Sequence, residues 1–178
     1  VTLTTWVDFD GFEGNSTSYD NVLITCGDVG TSSAVNYPYF FNVTSTGRMR
    51  LWWEYGSNSN EDILSTSTAT IPAGYTMLSV TKNVATNEVH FYQDGNLIQG
   101  PMSYTNDPSG GGSANLRLAV NQQAGVFDFD GKQDEVRISN TVRSQDWLST
   151  NFNSISSPGT FYTIGPRIMS GPAPDWCY

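Results

Sequence analysis

The densest run of ionisable side chains is "FDGKQDEVRISNTVRSQDW", residues 129–147, with three aspartates, one glutamate and two arginines. Carboxylates spaced like this support three kinds of chemistry. Two that face each other across a glycosidic bond hydrolyse it, and strand alternation puts Asp128 and Asp130 on one face. Several on neighbouring loops, together with backbone carbonyls, hold calcium, which takes about six to eight oxygen ligands. The calcium candidates are Asp128, Asp130 and Asp134, with Asp8 and Asp10 as a second group. The third reading needs no ligand. Asp130 caps the turn into Gly131, and Asp134 and Glu135 are solvated or pair with Arg137 and Arg143. Hydrolysis stays an outside option, because its face would have to be concave and open while both carboxylates sit beside a turn.

Other reactive constellations are scarce. The one histidine, His90, stands between Val89 and Phe91 and shares a strand face with Tyr92. It reads as a sheet-face residue rather than the base of a serine triad. A lone histidine and two distant cysteines, Cys26 and Cys177, exclude a typical zinc site. "SGGGS" lacks the lysine and helix start of a phosphate-binding loop. A Cys26–Cys177 bridge would nearly close the chain into a loop, and the alternative is two unrelated thiols. Asn15 and Asn42 begin glycosylation-type triplets, a number that chance supplies in a chain this rich in Asn, Ser and Thr.

Aromatic side chains are the stronger signal. Sugar rings stack their apolar C–H faces on tryptophan or tyrosine while nearby polar groups take the hydroxyls. In "RMRLWWEYG" the alternation sends Leu51 and Trp53 to one face and Arg50, Trp52 and Glu54 to the other. Trp52, Arg50, Glu54, His90 and Tyr92 are therefore the ligand-binding candidates. Against this stands burial of that face by a neighbouring segment.

Composition narrows the partners. The formal net charge is −9, with only eight Lys and Arg in 178 residues. That argues against nucleic acid, whose binding is driven by basic side chains displacing counterions, and against a polybasic membrane surface. No apolar run approaches the ~18 residues of a membrane-inserted helix. The chain opens on Val1 without a signal-peptide pattern, which reads as a processed or excised piece. The Ser, Thr, Asn, Gly and aromatic content is typical of extracellular β-proteins.

Period-two patterns supply the elements that must position these groups. "LTTWVDF", "NVLITCG" and the hairpin "YPYFFNVTSTGRMRLWWEYG" come first. "YTMLSVTKN" and the hairpin "NEVHFYQDGNLIQG" follow, the latter with an Asp94-Gly95 tight turn. Then come "NLRLAVN", "VFDFDG", "DEVRIS" with Val136 and Ile138 inward, and a closing strand "GTFYTIG". One short helix is expected near residues 144–152, capped by Ser144 with Asp146 near its positive end. Ten or eleven short strands make an all-β fold, a sandwich or barrel. Residues 166–178, with three prolines, read as an extended tail whose Ile168, Met169, Trp176 and Tyr178 lie against something.

"VTLTTWVDF", "SVTKNVATNEVHFYQDGNLI" and "NLRLAVNQQAGVFDFDGKQDEVRISNTVRSQDW" occur in the order found in laminin-G-like domains of the concanavalin A-like lectin/glucanase group. The chain resembles that group over residues 1 to about 165, through Tyr92–Gly95, Phe129–Ile138 and Ser144–Trp147. The resemblance implies an antiparallel jelly-roll sandwich of two sheets, and calcium at its rim in many relatives. Glucanases of the group carry two glutamates flanking an aspartate on a strand, and no such run exists in this chain. The group also carries one or more strands before the tryptophan strand with which this chain begins. That predicts an open edge, filled by the tail or by a neighbouring subunit if the chain is not a fragment.

Two functions follow as expectations. One is a non-catalytic recognition or adhesion module of a secreted or surface protein, binding a glycan or a protein partner. The other is an assembly component, of a virion (decoration or tail protein), a surface layer or a filament, using its tail or open edge for subunit contacts. Either places it outside the cell, on its surface or on a virion.

Overall fold

The structure is a computed structural model, and it describes residues 1–11, 21–27, 38–56, 59–69, 74–109, 115–119, 129–161 and 165. Among these, ten strands form: β1 (Thr2–Phe9), β2 (Val22–Cys26), β3 (Tyr39–Val43), β4 (Arg48–Gly56), β5 (Ser59–Thr68), β6 (Thr76–Asn83), β7 (Glu88–Gln93), β8 (Asn96–Ser103), β9 (Leu116–Leu118) and β10 (Gly131–Ser139). Two helices follow, α1 (Gln145–Ser156) and α2 (Pro158–Phe161). The strands pair antiparallel in two five-stranded sheets, ordered β10-β1-β6-β7-β8 and β5-β4-β3-β2-β9. This is the expected two-sheet antiparallel sandwich.

Alternation builds the core. Leu3, Val7, Leu78, Val80, Val89 and Phe91 of the first sheet meet Phe41, Val43, Met49, Leu51, Trp53 and Ile63 of the second. Each fully buried apolar side chain of this size contributes ~1.5–3 kcal/mol. A register shift between Val22 and Ile24 lets both Leu23 and Ile24 enter the core while Val22 faces outward. The β3–β4 connection closes with Gly47 N–H donating to Thr44 O. Asp94 and Gly95 both take positive φ (51° and 77°), as a tight hairpin turn requires.

A lysine lies inside the sandwich. Lys82 is buried, its ammonium 4.2 Å from the Tyr104 ring centre and 4.9 Å from that of Trp53. It donates to Tyr104 Oη at 2.9 Å and to Asp107. Burial lowers the Lys82 pKa, with the Asp107 hydrogen bond and the Asp107 and Glu61 charges acting against it. Burial alone would raise the Asp107 carboxyl, but hydrogen bonds from Lys82 and Tyr104 outweigh it and hold that carboxyl below its ordinary range. Trp53 Nε1 donates to Asn106 O at 2.7 Å, and Glu61 Oε1 accepts from the Thr105 and Asn106 amides.

Two glutamines tie the sheets at their margins. Gln99 Oε1 on β8 accepts from Thr66 N, Thr66 Oγ1 and Ser67 N on β5. On the opposite margin, Gln133 Nε2 on β10 donates to Leu23 O on β2 at 2.9 Å.

Helix α1 begins where expected. Ser144 has extended backbone angles and its Oγ accepts from Trp147 N, with Asp146 in the first turn. The helix lies on the outer face of the first sheet, where Leu148 packs with Trp6, Met77 and Tyr92. Phe152 stacks on Trp6, ring centres 5.4 Å apart and planes 7° from parallel. Ser149 Oγ donates to Gly95 O, so the helix also seats on the β7–β8 turn.

Three expectations need correction. The segment after α1 is not a strand in its described part, because Pro158–Phe161 forms the single turn α2. Strand β5 is an addition, since "SNEDILSTST" is too polar to announce itself. Ile138 sits opposite Leu3, as alternation requires, yet is 42% exposed because β10 is an edge strand. Asn42 is buried on β3, in keeping with its triplet being a chance match. Asn15, Cys177 and residues 166–178 lie outside the described residues.

Candidate functional site

The register of the second sheet aligns side chains on its outer face in rows. One row runs Arg117 (β9), Thr25 (β2), Phe40 (β3), Trp52 (β4), Asp62 (β5). The next runs Val22, Asn42, Arg50, Leu64. Directly opposed residues on one face stand ~4.5–5.5 Å apart at Cβ, so each row is a continuous surface.

Burial divides that surface. Val22, Thr25, Phe40, Asn42 and Arg50 are buried, whereas Trp52 and Glu54 are half-buried and Asn60 and Asp62 are exposed. The accessible part is thus the β4–β5 end, with Trp52 at its centre. Phe40 meets the Trp52 ring edge to face, planes 82° apart and centres 6.2 Å apart, which fixes the indole's attitude.

Arg50 does not point out to solvent. Its side chain is 3% exposed, and Nε and Nη2 donate to Asp62 Oδ1 and Oδ2 at 2.6 and 2.5 Å. This two-point geometry orients the carboxylate as well as neutralising the guanidinium. Asp62 keeps 41% of its side chain exposed, so it still offers acceptor capacity beside Trp52. Across the face, Arg117 Nη1 donates to Gly27 O at 2.5 Å. The arrangement offers an aromatic platform flanked by two carboxylates, Glu54 and Asp62, suited to stacking a ring and accepting hydrogen bonds from its hydroxyls.

The five ligand-binding candidates do not converge. Trp52, Arg50 and Glu54 share the outer face of the second sheet, while His90 and Tyr92 share the outer face of the first. There α1 takes the surface that Tyr92 presents, leaving Tyr92 7% exposed. Burial raises the Tyr92 phenol pKa. His90 stacks against Tyr92 at 6.3 Å and lies over Gly100, where an added methyl would come within 2.4 Å of its Cδ2.

The acidic candidates are dispersed. Asp8 stands opposite Lys132 and accepts from its Nζ at 3.0 Å. Asp8, and behind it Asp10, holds the Lys132 ammonium above its ordinary pKa. Asp130 joins that end of the sheet through its backbone, Asp10 N–H donating to Asp130 O. Asp134 lies farther along β10 and accepts from the Glu135 amide at 2.7 Å. Glu135 pairs with Arg137, as expected, and Arg143 lies over the Trp147 ring at 4.8 Å. Among the described residues no three His, Cys, Asp or Glu side chains gather to hold a metal ion. Asp128 lies outside those residues.

Asp62 is the residue that sequence reasoning missed. The signal existed: the polar run Ser57–Asn60 after a strong strand reads as a hairpin connection. Counting back from it sets 62 opposite 52.

Among the described residues no helix is long and apolar enough to cross a membrane. No curated protein matches the sequence. Solved structures do match its fold. The CBM40 of Ruminococcus gnavus IT-sialidase superposes with a TM-score of 0.63 at 12% identity, covering 85% of this chain and 81% of that one. Domain 4 of AbnA, an extracellular arabinanase of Geobacillus stearothermophilus solved with arabinotriose, gives 0.56 at 16% identity, covering 83% and 64%. The binding domain of botulinum neurotoxin serotype G gives 0.60 at 13% identity, covering 88% and 36%. The CBM40 has also been solved with α2,3-sialyllactose. The laminin G-type profile matches residues 1–149, and the chain belongs to the concanavalin A-like lectin/glucanases superfamily.

Proposed function

We propose that the domain is a non-catalytic glycan-binding module of a secreted or surface protein, with its ligand platform on the outer face of the second sheet. The observation that carries this reading is Trp52, half-buried and braced by Phe40, between the carboxylates of Glu54 and Asp62. It is supported by likeness in fold to structures solved with sialyllactose and with arabinotriose. Asp62 is clamped at both oxygens by Arg50, a geometry that orients an acceptor rather than one that hands over a proton.

The test is an immobilised glycan array with wild type and Trp52→Ala, run with calcium and with EDTA. Specific retention lost in the variant is the expected result, and chelator-sensitive retention would place an ion in the site. No retention under either condition refutes the reading. Incubation of any retained oligosaccharide with the protein is expected to leave it intact.

A second reading, an assembly component whose subunits pair along an open edge, is favoured by one observation. Leu116 on β9 and Ile138 on β10 are 52% and 42% exposed, on the strands that are outermost in the two sheets among the described residues. Light scattering over a concentration series tests it, and a monomer throughout refutes it.

A further inference from the structure

Residues Tyr104–Asp107, which follow β8, are fastened to both sheets. On the second sheet, Trp53 Nε1 of β4 donates to Asn106 O at 2.7 Å. Glu61 Oε1 of β5 accepts from Thr105 N, Asn106 N and Asn106 Nδ2 at 3.1, 2.8 and 2.9 Å. On the first sheet, Lys82 Nζ of β6 donates to Tyr104 Oη at 2.9 Å and to Asp107. Tyr104 N–H donates to Asn87 O at 3.1 Å, and its hydroxyl donates to Asp107 Oδ1 at 2.8 Å. Its ring meets Trp53 edge to face, centres 5.0 Å apart.

The Lys82–Asp107 pair is asymmetric. The Lys82 side chain is 5% exposed and that of Asp107 is 47% exposed. Protons from solvent reach Asp107 directly, whereas the ammonium meets water only if the segment moves. A buried ammonium without its partner is costly. Among the described residues, Asp107 faces the Lys82 ammonium on β6 and the Tyr104 hydroxyl in its own segment. The Glu61 carboxylate on β5 and the Val1 ammonium at the start of β1 act on Lys82 in turn. Glu61 attracts it, but its Oε1 is already taken by three N–H donors. Burial pushes the Asp107 carboxyl up, yet hydrogen bonds from Lys82 and Tyr104 outweigh it and hold that carboxyl below its ordinary range. The tie is therefore present above about pH 4 and is lost as pH falls through the folded value.

Strand β5 makes this segment matter. Ile63 and Ser65 are the members of that strand that are buried, so its position depends on polar ties more than on core packing. Glu61 is one such tie and directly precedes Asp62.

We propose that Tyr104–Asp107 is an acid-released clasp. Protonation of Asp107 leaves the Lys82 ammonium buried without its partner, and the segment opens locally while both sheets stay folded, loosening β5 at Glu61. The clasp stands whether or not the domain binds a glycan.

Hydrogen exchange followed by NMR at about pH 6 and about pH 3 tests it, read as protection factors so that the intrinsic pH dependence of exchange cancels. In the wild-type protein the Trp53 indole N–H and the Asn106 amide are expected to lose at least about tenfold in protection at the lower pH, while the Phe41 and Val80 amides change less than about twofold. Asp107→Asn leaves Lys82 without a carboxylate partner at every pH, so Asn106 should be poorly protected already at the higher pH and change little on acidification. Lys82→Met removes the ammonium, and the acid-induced loss should disappear. Glu61→Gln keeps an acceptor oxygen and should retain the loss. If Asp107→Asn gives no cooperative urea transition, Lys82→Met carries the test alone. Equal protection at both pH values in the wild type overturns the clasp. An equal loss at Phe41 and Val80 overturns it too, because the opening is then global. A loss that persists in Lys82→Met, or one that vanishes in Glu61→Gln while persisting in Asp107→Asn, overturns the assignment of the trigger.

Discussion

Gly47 and Gly95 offer a controlled comparison, because both lie in hairpin turns with nearly the same φ, 78° and 77°. An alanine at either position pays the left-handed backbone cost, ~1–2 kcal/mol. They differ in what a Cβ would meet. At Gly47 the nearest atom is Ala69 O at 3.6 Å, an ordinary contact. At Gly95 it is the Ser149 Cα at 2.5 Å, with Ser149 N at 2.8 Å, both backbone of α1. A backbone neighbour cannot turn aside as a side chain can, so Gly95→Ala must lift α1 or twist the turn. Overpacking of that kind adds ~1–3 kcal/mol. Urea denaturation followed by tryptophan fluorescence reads both variants. With a slope of ~2 kcal/mol per molar urea, Gly47→Ala should lower the midpoint by ~0.5–1 M and Gly95→Ala by ~1–2.5 M. The excess at Gly95 is the quantity that matters. Equal shifts would mean that α1 is not seated on the β7–β8 turn, and the burial of Tyr92 beneath it would lose its support.

Other outcomes follow from the same contacts. Leu148→Ala empties the centre of the α1 interface and should cost ~2–5 kcal/mol, seen as a lower urea midpoint. Asp107→Asn weakens the partner of buried Lys82 and should cost ~1–3 kcal/mol at neutral pH, less than a fully buried pair because the Asp107 side chain is 47% exposed. The Asp107 carboxyl is held below its ordinary pKa in the folded protein, so this stability is present above about pH 4 and is lost as pH falls through the folded value. The gap between wild type and Asp107→Asn should therefore narrow below about pH 4 in urea titrations. Gln99→Ala removes one acceptor from three donors and should cost ~1 kcal/mol, with faster hydrogen exchange at the Thr66 and Ser67 amides, which both donate to it.

Much of this geometry was legible where pattern and chemistry coincide. Alternation in β4 divides Leu51 and Trp53 from Trp52, and Asp94-Gly95 marks its turn, because both depend only on neighbouring residues. Burial at edges was not. Ile138 obeys its alternation but is left exposed, since nothing in "DEVRIS" reveals that β10 is the outermost strand of its sheet among the described residues. Strand β5 was hidden because only Ile63 is a large apolar residue buried there, its other buried member being Ser65. With β5 went Asp62, and with Asp62 the state of Arg50. A lysine in the core was invisible for a related reason. Lys82 is tolerated by Tyr104, Asp107 and Trp53, which lie 22, 25 and 29 residues away.

The seating of α1 has a consequence for valency. A two-sheet sandwich has two broad faces, and here one of them is spent on Leu148, Phe152 and their partners. On the proposed reading, this leaves the β4–β5 end of the second sheet as the one broad-face platform among the described residues. Strong attachment would have to come from several modules on one tether, each multiplying the effective concentration seen by the next.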